Sequence, residues 1–136
     1  MITLSKDSMS ITREQDVVPF RNRVKELAVK IGMGLVNQTK LITAASELVR
    51  NMLRYAGQGE VRMEVMSRGR ETGIRLTFID KGPGIADINL AMQDGYSTGK
   101  SLGLGLPGTR RLVNEFDIKS KPGEGTTVTV LKWKNG

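Results

Sequence analysis

The chain has 136 residues, a formal net charge of +7, 38% hydrophobic and 26% charged residues, which fits one globular domain able to bury about two thirds of its unfolded surface. It contains neither cysteine nor histidine, which excludes disulfides, thiolate nucleophiles, Ser-His-Asp catalysis and most zinc sites, and leaves acid–base work to carboxylates, lysine, tyrosine or water. The positive excess is spread as +2, +2 and +3 over residues 1–36, 37–109 and 110–136, and aromatics make up only 4%, so no nucleic-acid surface is expected, whereas a diffuse field that attracts phosphate ligands or an acidic protein partner is.

No apolar stretch is long enough to span a bilayer and no basic-then-apolar leader opens the chain. The expectation is no membrane and a cytoplasmic location. Residues 1–12 hold two β-prone pieces, Ile2-Thr3-Leu4 and Ser10-Ile11-Thr12, that suit an edge strand or hairpin. From about Asp16 the apolar residues Val17, Phe20, Val24, Leu27, Ala28 and Ile31 recur at helical spacing, with Pro19 in the first turn and Gly32 and Gly34 as the stop. A second helix is expected from an Asn37 cap to about Ala56, ended by Gly57 and Gly59. Its apolar side is Leu41, Ala45, Leu48, Val49, Met52 and Ala56. On the other side Glu47, Arg50, Asn51 and Arg54 share an arc of roughly 100°. A solvated face explains Arg50 and Arg54, while Glu47 and Asn51, four residues apart, are also what a carboxylate base beside a hard-cation ligand requires.

Residues 60–67 and 74–80 alternate with period two and are expected to pair as an antiparallel hairpin across a polar turn at 68–73. The second strand runs into Asp80-Lys81-Gly82-Pro83-Gly84-Ile85, where a carboxylate ends an apolar run and two glycines let backbone approach a ligand closely. A short helical piece at 87–92 follows, then a loop over 93–101, then Leu102-Gly103-Leu104-Gly105-Leu106-Pro107-Gly108. The helix after it is expected to bury Leu112, Val113 and Phe116. The end is strand-like over 118–121 and 126–133, with a turn at Pro122-Gly123-Glu124-Gly125.

Two glycine motifs are decoys. Gly99-Lys100-Ser101 resembles the end of a P-loop, but Asp94 stands where its first glycine belongs and no strand precedes it. Gly103 to Gly108 matches G-x-G-x-x-G, yet it follows a polar loop and lies in no parallel βαβ unit. What remains is physical: glycines at a helix start leave N–H groups free for phosphate, aided by the helix dipole.

Taken in order, Glu47-Leu48-Val49-Arg50-Asn51, then Asp80 to Ile85, then Gly103 to Gly108, then Gly125-Thr126-Thr127-Val128 resemble the N box, G1 box, G2 box and closing threonine motif of the GHKL, or Bergerat-fold, ATPases. Within them, the stretch from Ser46 to Trp133, the Asp94 to Thr98 lid and the G2 box with Pro107 resemble the RsbT-like switch kinases of stressosomes, relatives of the anti-sigma-factor serine/threonine kinases. The resemblance implies an α/β fold class, an α+β two-layer sandwich in which one mixed sheet packs on helices, a single domain over residues 1–136, and a mobile ATP lid at about 93–105.

It also implies ATP and Mg²⁺ as cofactors. Glu47 would be the general base toward a protein serine hydroxyl, Asn51 the Mg²⁺ ligand through its amide oxygen, and Asp80 the acceptor for the adenine amine. Gly82 and Gly84 would make room for base and ribose, with Ile85 packing nearby. Gly103, Leu104 and Gly105 would lie at the phosphates, and Thr126 or Thr127 beside the adenine. Lys100 is either a phosphate contact or a solvated lysine. The implied activity is serine/threonine phosphorylation of a STAS-domain scaffold or antagonist, followed by release of the kinase to activate a downstream phosphatase regulator. Two alternatives stand beside it: an anti-sigma kinase that sequesters a sigma factor, and an ATP-dependent binding module with little transfer. The sequence assigns no oligomeric state.

Overall fold

The structure is a computed structural model and describes residues 1–85, 92 and 105–136. It opens with β1 (Ile2–Ile11), one edge strand in place of two short pieces. The polar residues between the pieces do not break it, because an edge strand can turn charged side chains to water. Lys6 lies opposite Glu64 and Ser8 opposite Arg62. Asp7 points to the other face, where its carboxylate accepts the Arg23 Nε–H at 2.8 Å. That bond holds the Asp7 carboxyl below its ordinary value.

A 3-10 turn at Glu14–Asp16 leads into α1 (Val17–Lys30). The expected stripe is buried at Val17, Phe20, Val24, Leu27 and Ala28, and Gly32 at φ 82° ends the helix. Helix α2 (Leu35–Ala56) starts two residues before the expected cap. Gly34 occupies the N-cap, its carbonyl accepting the Gln38 N–H at 2.9 Å. Asn37 lies inside the first turn, where its amide donates to the Lys134 carbonyl at 3.2 Å. A tertiary bond thus claims the side chain that local propensity offers as a cap. At the other end Gly57, left-handed at φ 80°, closes α2 through a bond from its N–H to the Leu53 carbonyl.

Strands β2 (Gly59–Arg68) and β3 (Glu71–Asp80) form the expected hairpin. Its turn is tighter than expected: Arg68 pairs with Glu71, leaving Gly69 and Arg70 between them. Gly69 alone has positive φ, 59°, the requirement of a II′ turn at its first central residue. Helix α3 (Gly105–Arg111) is followed by β4 (Glu115–Lys121) and β5 (Gly125–Trp133). Phe116 therefore sits on a strand opposite Val130, not on a helix. Its spacing to Val113 suits a helix, but Phe116 and Ile118 also fit period two, and Asn114 settles the choice. The Asn114 N–H donates to the Leu131 carbonyl at 2.9 Å and its Oδ1 accepts the Trp133 N–H at 2.8 Å, so the β ladder begins there.

The sheet order is β1-β2-β3-β5-β4, and all four ladders are antiparallel. The sheet is thus not mixed. Strands β3 and β4 do run in the same direction, but β5 lies between them and pairs antiparallel with both.

One face of the sheet carries the core. Rungs such as Val61–Phe78–Val128 and Met63–Leu76–Val130 pack against Phe20, Val24, Leu41, Leu48, Val49 and Met52 of the helices. Each fully buried side chain of this size contributes about 1.5–3 kcal/mol. Phe20 meets Phe78 edge-on, with centroids 5.9 Å apart at 80°. On the opposite face the buried apolar residues are Met66, Leu131 and Trp133. Trp133 lies over Gly73, where a Cβ would come within 2.8 Å of the indole, and the Arg68 guanidinium stacks on the ring at 5.0 Å.

Candidate functional site

The apolar rungs of the core face end in polar residues at one height. Asp80 follows Phe78 on β3, Thr126 precedes Val128 on β5, and Ser120 follows Ile118 on β4. The register places Asp80 opposite Thr126 and Ser120 opposite Thr126. Directly opposed residues share a face, so these three form a polar row where the hydrophobic core stops. Thr127 pairs with Ile79 and Lys119 and takes the other face.

The row is held by hydrogen bonds. Asp80 Oδ1 accepts the Gly82 N–H at 2.9 Å and the Thr126 N–H at 3.2 Å. Among the described residues no bond falls on Oδ2, so the carboxylate is oriented by one oxygen and offers the other. Ser120 Oγ accepts the Ile85 N–H at 2.7 Å, lies 3.0 Å from the Gly125 carbonyl and 2.8 Å from Thr126 Oγ1. A serine has one hydroxyl proton. With that proton on the Gly125 carbonyl, Thr126 becomes the donor to Ser120 and turns lone pairs, not its hydrogen, toward the space beside Asp80.

Residues 80–85 are laced to the β4–β5 turn and to α2. The Gly123 N–H donates to the Pro83 carbonyl at 2.7 Å. Gly84 has φ 78°, and a Cβ there would run into the Lys121 carbonyl. At Gly82 a Cβ would stand 2.6 Å from the Ala56 Cβ. The glycines expected to admit a ligand therefore first admit the protein's own backbone and helix. Ile85 is half-buried and tied through its N–H.

Glu47 and Asn51 are both half-buried on α2, one turn apart, whereas Arg50 and Arg54 are exposed. Neither Glu47 nor Asn51 takes a hydrogen bond from another described residue. Because Gly82 packs on Ala56, α2 works as a ruler: Asn51 lies about 7–8 Å and Glu47 about 13–14 Å along the axis from the Asp80 end, at 1.5 Å per residue. Among the described residues no group of three or more Asp or Glu side chains gathers as a metal cage, so a cation here would rely on the Asn51 amide oxygen and on ligand oxygens.

Gly105, at φ 69°, starts α3, with Pro107, Gly108 and Thr109 buried. Thr109 Oγ1 donates to the Gly105 carbonyl at 2.9 Å. Lys100, Gly103 and Leu104, the lid at 93–104 and the helical piece expected from Asp87 lie outside the described residues. Sequence reasoning gave no site role to Ser120, Gly125 or Ala56. Gly125 has φ 90°, and a Cβ there would collide with the Asp80 carbonyl. The signal for Ser120 was available: like Asp80, it is a polar residue continuing an apolar alternation at the same end of the sheet.

Residues 36–135 match the HATPase_c family, described as histidine kinase-, DNA gyrase B- and HSP90-like ATPases. The serine/threonine-protein kinase RsbT of Bacillus subtilis (strain 168) is 42% identical over 123 residues, covering 90% of this chain and 92% of that protein. An anti-sigma F factor of Caldanaerobacter subterraneus subsp. tengcongensis is 25% identical over 127 residues, covering 90% and 89%. Among solved structures, the RsbU and RsbW domains of Rv1364c from Mycobacterium tuberculosis align with TM-score 0.63 at 21% identity, over 93% of this chain and 32% of that longer one. The mycobacterial sensor histidine kinase MprB aligns with TM-score 0.56 at 15% identity, over 95% and 97%; both likenesses concern the fold. The matched span includes α2, the Asp80 row and the β4–β5 turn, and the chain belongs to the histidine kinase-, DNA gyrase B- and HSP90-like ATPase family, in the branch that contains RsbT.

Proposed function

We propose that residues 1–136 act as one cytoplasmic, Mg-ATP-dependent protein serine/threonine kinase domain that works as a partner switch. The observation that carries this reading is the arrangement along α2. The oriented Asp80 carboxylate lies near its C-terminal end, with Asn51 and then Glu47 at increasing distance, an order that suits base, metal-bound phosphates and reacting phosphoryl group. The 42% identity to a serine/threonine-protein kinase supports the same activity.

In this reading Asp80 Oδ2 accepts the adenine amine, and Thr126 Oγ1 accepts from the base or from water beside it. Thr127, on the opposite face, does not reach it. Asn51 holds Mg²⁺ through its amide oxygen, a hard donor suited to an ion that keeps few protein ligands and takes phosphate oxygens as the rest. Bound Mg-ATP supplies the transferable phosphoryl group and the charge that neutralises its transfer. Glu47 takes the proton from the attacking serine hydroxyl. Gly103, Leu104 and Gly105 bind phosphate through backbone N–H groups, and Lys100 adds a positive charge. The substrate is a STAS-domain scaffold or antagonist, and its phosphorylation releases the kinase to activate a downstream phosphatase regulator.

The test is incubation with γ-labelled ATP, Mg²⁺ and a candidate STAS-domain protein, followed by mapping of the labelled residue. Label on a serine or threonine, absent with Glu47→Ala, is the expected result; no transfer to any STAS candidate removes the proposal. The relatives named anti-sigma F factors favour one second reading, sequestration of a sigma factor, which co-purification of a sigma factor with the chain would reveal.

A further inference from the structure

Lys132 stands where the pattern of the core calls for an apolar residue. Along β5 the side chains of Thr126, Val128, Val130 and Lys132 alternate onto the core face, and after two buried valines the series ends in a lysine that is itself only 3% exposed. Its ladder partner on β3 is Ile74, which is fully buried. A valine or methionine would fill such a position freely, whereas an ammonium buried without a partner loses hydration with no return. Lys132 has no such partner. It makes no hydrogen bond and no ion pair among the described residues. Burial draws its amine below the ordinary lysine value, and the charge of Lys40 pushes the same way. The neighbouring charge is thus a second cation.

Lys40 ties this pair to the candidate site. It is exposed on α2 and precedes Glu47 by seven residues and Asn51 by eleven, rotations of about 700° and 1100° that keep the three within about 40° of one stripe. At 1.5 Å per residue it stands about 10–11 Å from Glu47 along the axis, on the side away from Asn51 and Asp80. Thr43, between Lys40 and Glu47, is exposed, so open surface runs from the cations to the carboxylate. Lys40 makes no ion pair either among the described residues. An anion is what both lysines lack.

We propose that Lys132 and Lys40 form a specificity site for the phosphoacceptor protein, binding a carboxylate carried about three residues from the acceptor hydroxyl. The proposal rests on the reading of Glu47 as the base that meets that hydroxyl. An extended segment advances about 3.3 Å per residue, so about three residues cover the span from Glu47 to Lys40, and the reach of a lysine side chain admits two to four. A carboxylate there completes the Lys132 ammonium through a charge-assisted bond and offsets the repulsion between the two lysines. A free anion would satisfy the same charges but would make no use of their alignment with Glu47.

The test is selection of a display library of 13-residue peptides, with a fixed central serine and every other position randomised, on the full chain carrying Mg²⁺ and a non-hydrolysable ATP analogue. Enriched peptides are expected to carry Asp or Glu two to four residues from the serine, on one side of it. Their affinity should fall at least tenfold with Lys132→Met or with Lys40→Gln, and stay unchanged with Lys6→Gln on the distant edge strand. Lys132→Met keeps the length of the apolar stem and removes an unpaired buried charge, so its thermal melt should equal or exceed that of the unsubstituted chain. Lys40→Gln, at an exposed position, decides the matter should Lys132→Met disturb the fold. Absence of an acidic preference, or a preference that neither variant weakens, overturns the proposal. So does inorganic phosphate that shifts the Lys132 amine resonance in NMR and is not displaced by the enriched peptides, because it assigns the site to a free anion. The kinase reading fails separately. Lysine-dependent peptide binding without transfer to any STAS-domain candidate removes the kinase and leaves an acidic-segment site, whereas transfer without the acidic preference keeps the kinase and removes the site.

Discussion

Asp80 and Thr126 face each other across the β3–β5 ladder, and one oxygen of the Asp80 carboxylate accepts the Thr126 backbone N–H at 3.2 Å while also holding Gly82. The bond fixes the carboxylate as a structural acceptor on one side and a ligand acceptor on the other. Asp80→Asn keeps the size but replaces one oxygen with a donor. With the amide oxygen held by Gly82 and Thr126, its NH₂ would face the adenine amine, donor against donor. ATP affinity measured by calorimetry is expected to fall at least about tenfold, the equivalent of one lost charge-assisted bond of about 1.5–3 kcal/mol. An affinity equal to that of the unsubstituted chain would refute the adenine assignment.

Glu47 carries the opposite expectation. It makes no hydrogen bond or ion pair with another described residue, so Glu47→Ala should fold and bind Mg-ATP as before. Phosphoryl transfer should drop by at least ~10²-fold, a typical acid–base contribution. Single-turnover transfer at an undiminished rate would remove Glu47 from the reaction.

Gly84 tests the scaffold behind the site. At φ 78° any side chain is strained, and the nearest obstacle is the Lys121 backbone carbonyl, which cannot move aside as a flexible side chain would. Gly84→Ala is expected to cost about 1–3 kcal/mol in urea unfolding and to weaken ATP binding by displacing the loop from the β4–β5 turn. By comparison Gly123, with positive φ but open space around it, should lose less on the same substitution.

The Asp7–Arg23 bond predicts a pH dependence far from the site. Asp7 is held below its ordinary value of 3.8 mainly by the Arg23 hydrogen bond. A depressed carboxylate stabilises the fold above its unfolded value and loses that contribution as pH falls through the folded one. The pair is exposed, so its worth is about 0.2–1 kcal/mol. Asp7→Asn should therefore lower the urea midpoint at pH 7 but not at about pH 2, where both chains lack the charge. A gap that persists at pH 2 would attribute the effect to packing.

Much of this molecule is written locally. The stripe from Val17 to Ala28, the α2 face from Leu41 to Met52 and the alternation in β2 and β3 follow from spacing alone, because a face must be buried wherever apolar residues recur with the period of the element. The G1-type run ending in Gly84 was legible for the same reason: positive φ and close backbone approach leave glycine as the residue type that fits. Tertiary structure decided the rest. Asn37 was taken from its cap by the Lys134 carbonyl and Phe116 from a helix by the ladder that Asn114 starts, and the sheet expected to be mixed pairs antiparallel in all four ladders. Ser120 joined the site only because the β4–β5 register brings it level with Asp80. Each depends on which elements come side by side: the local pattern can mark Ser120 as a polar residue at a strand end, but what it faces appears only when the strands are paired.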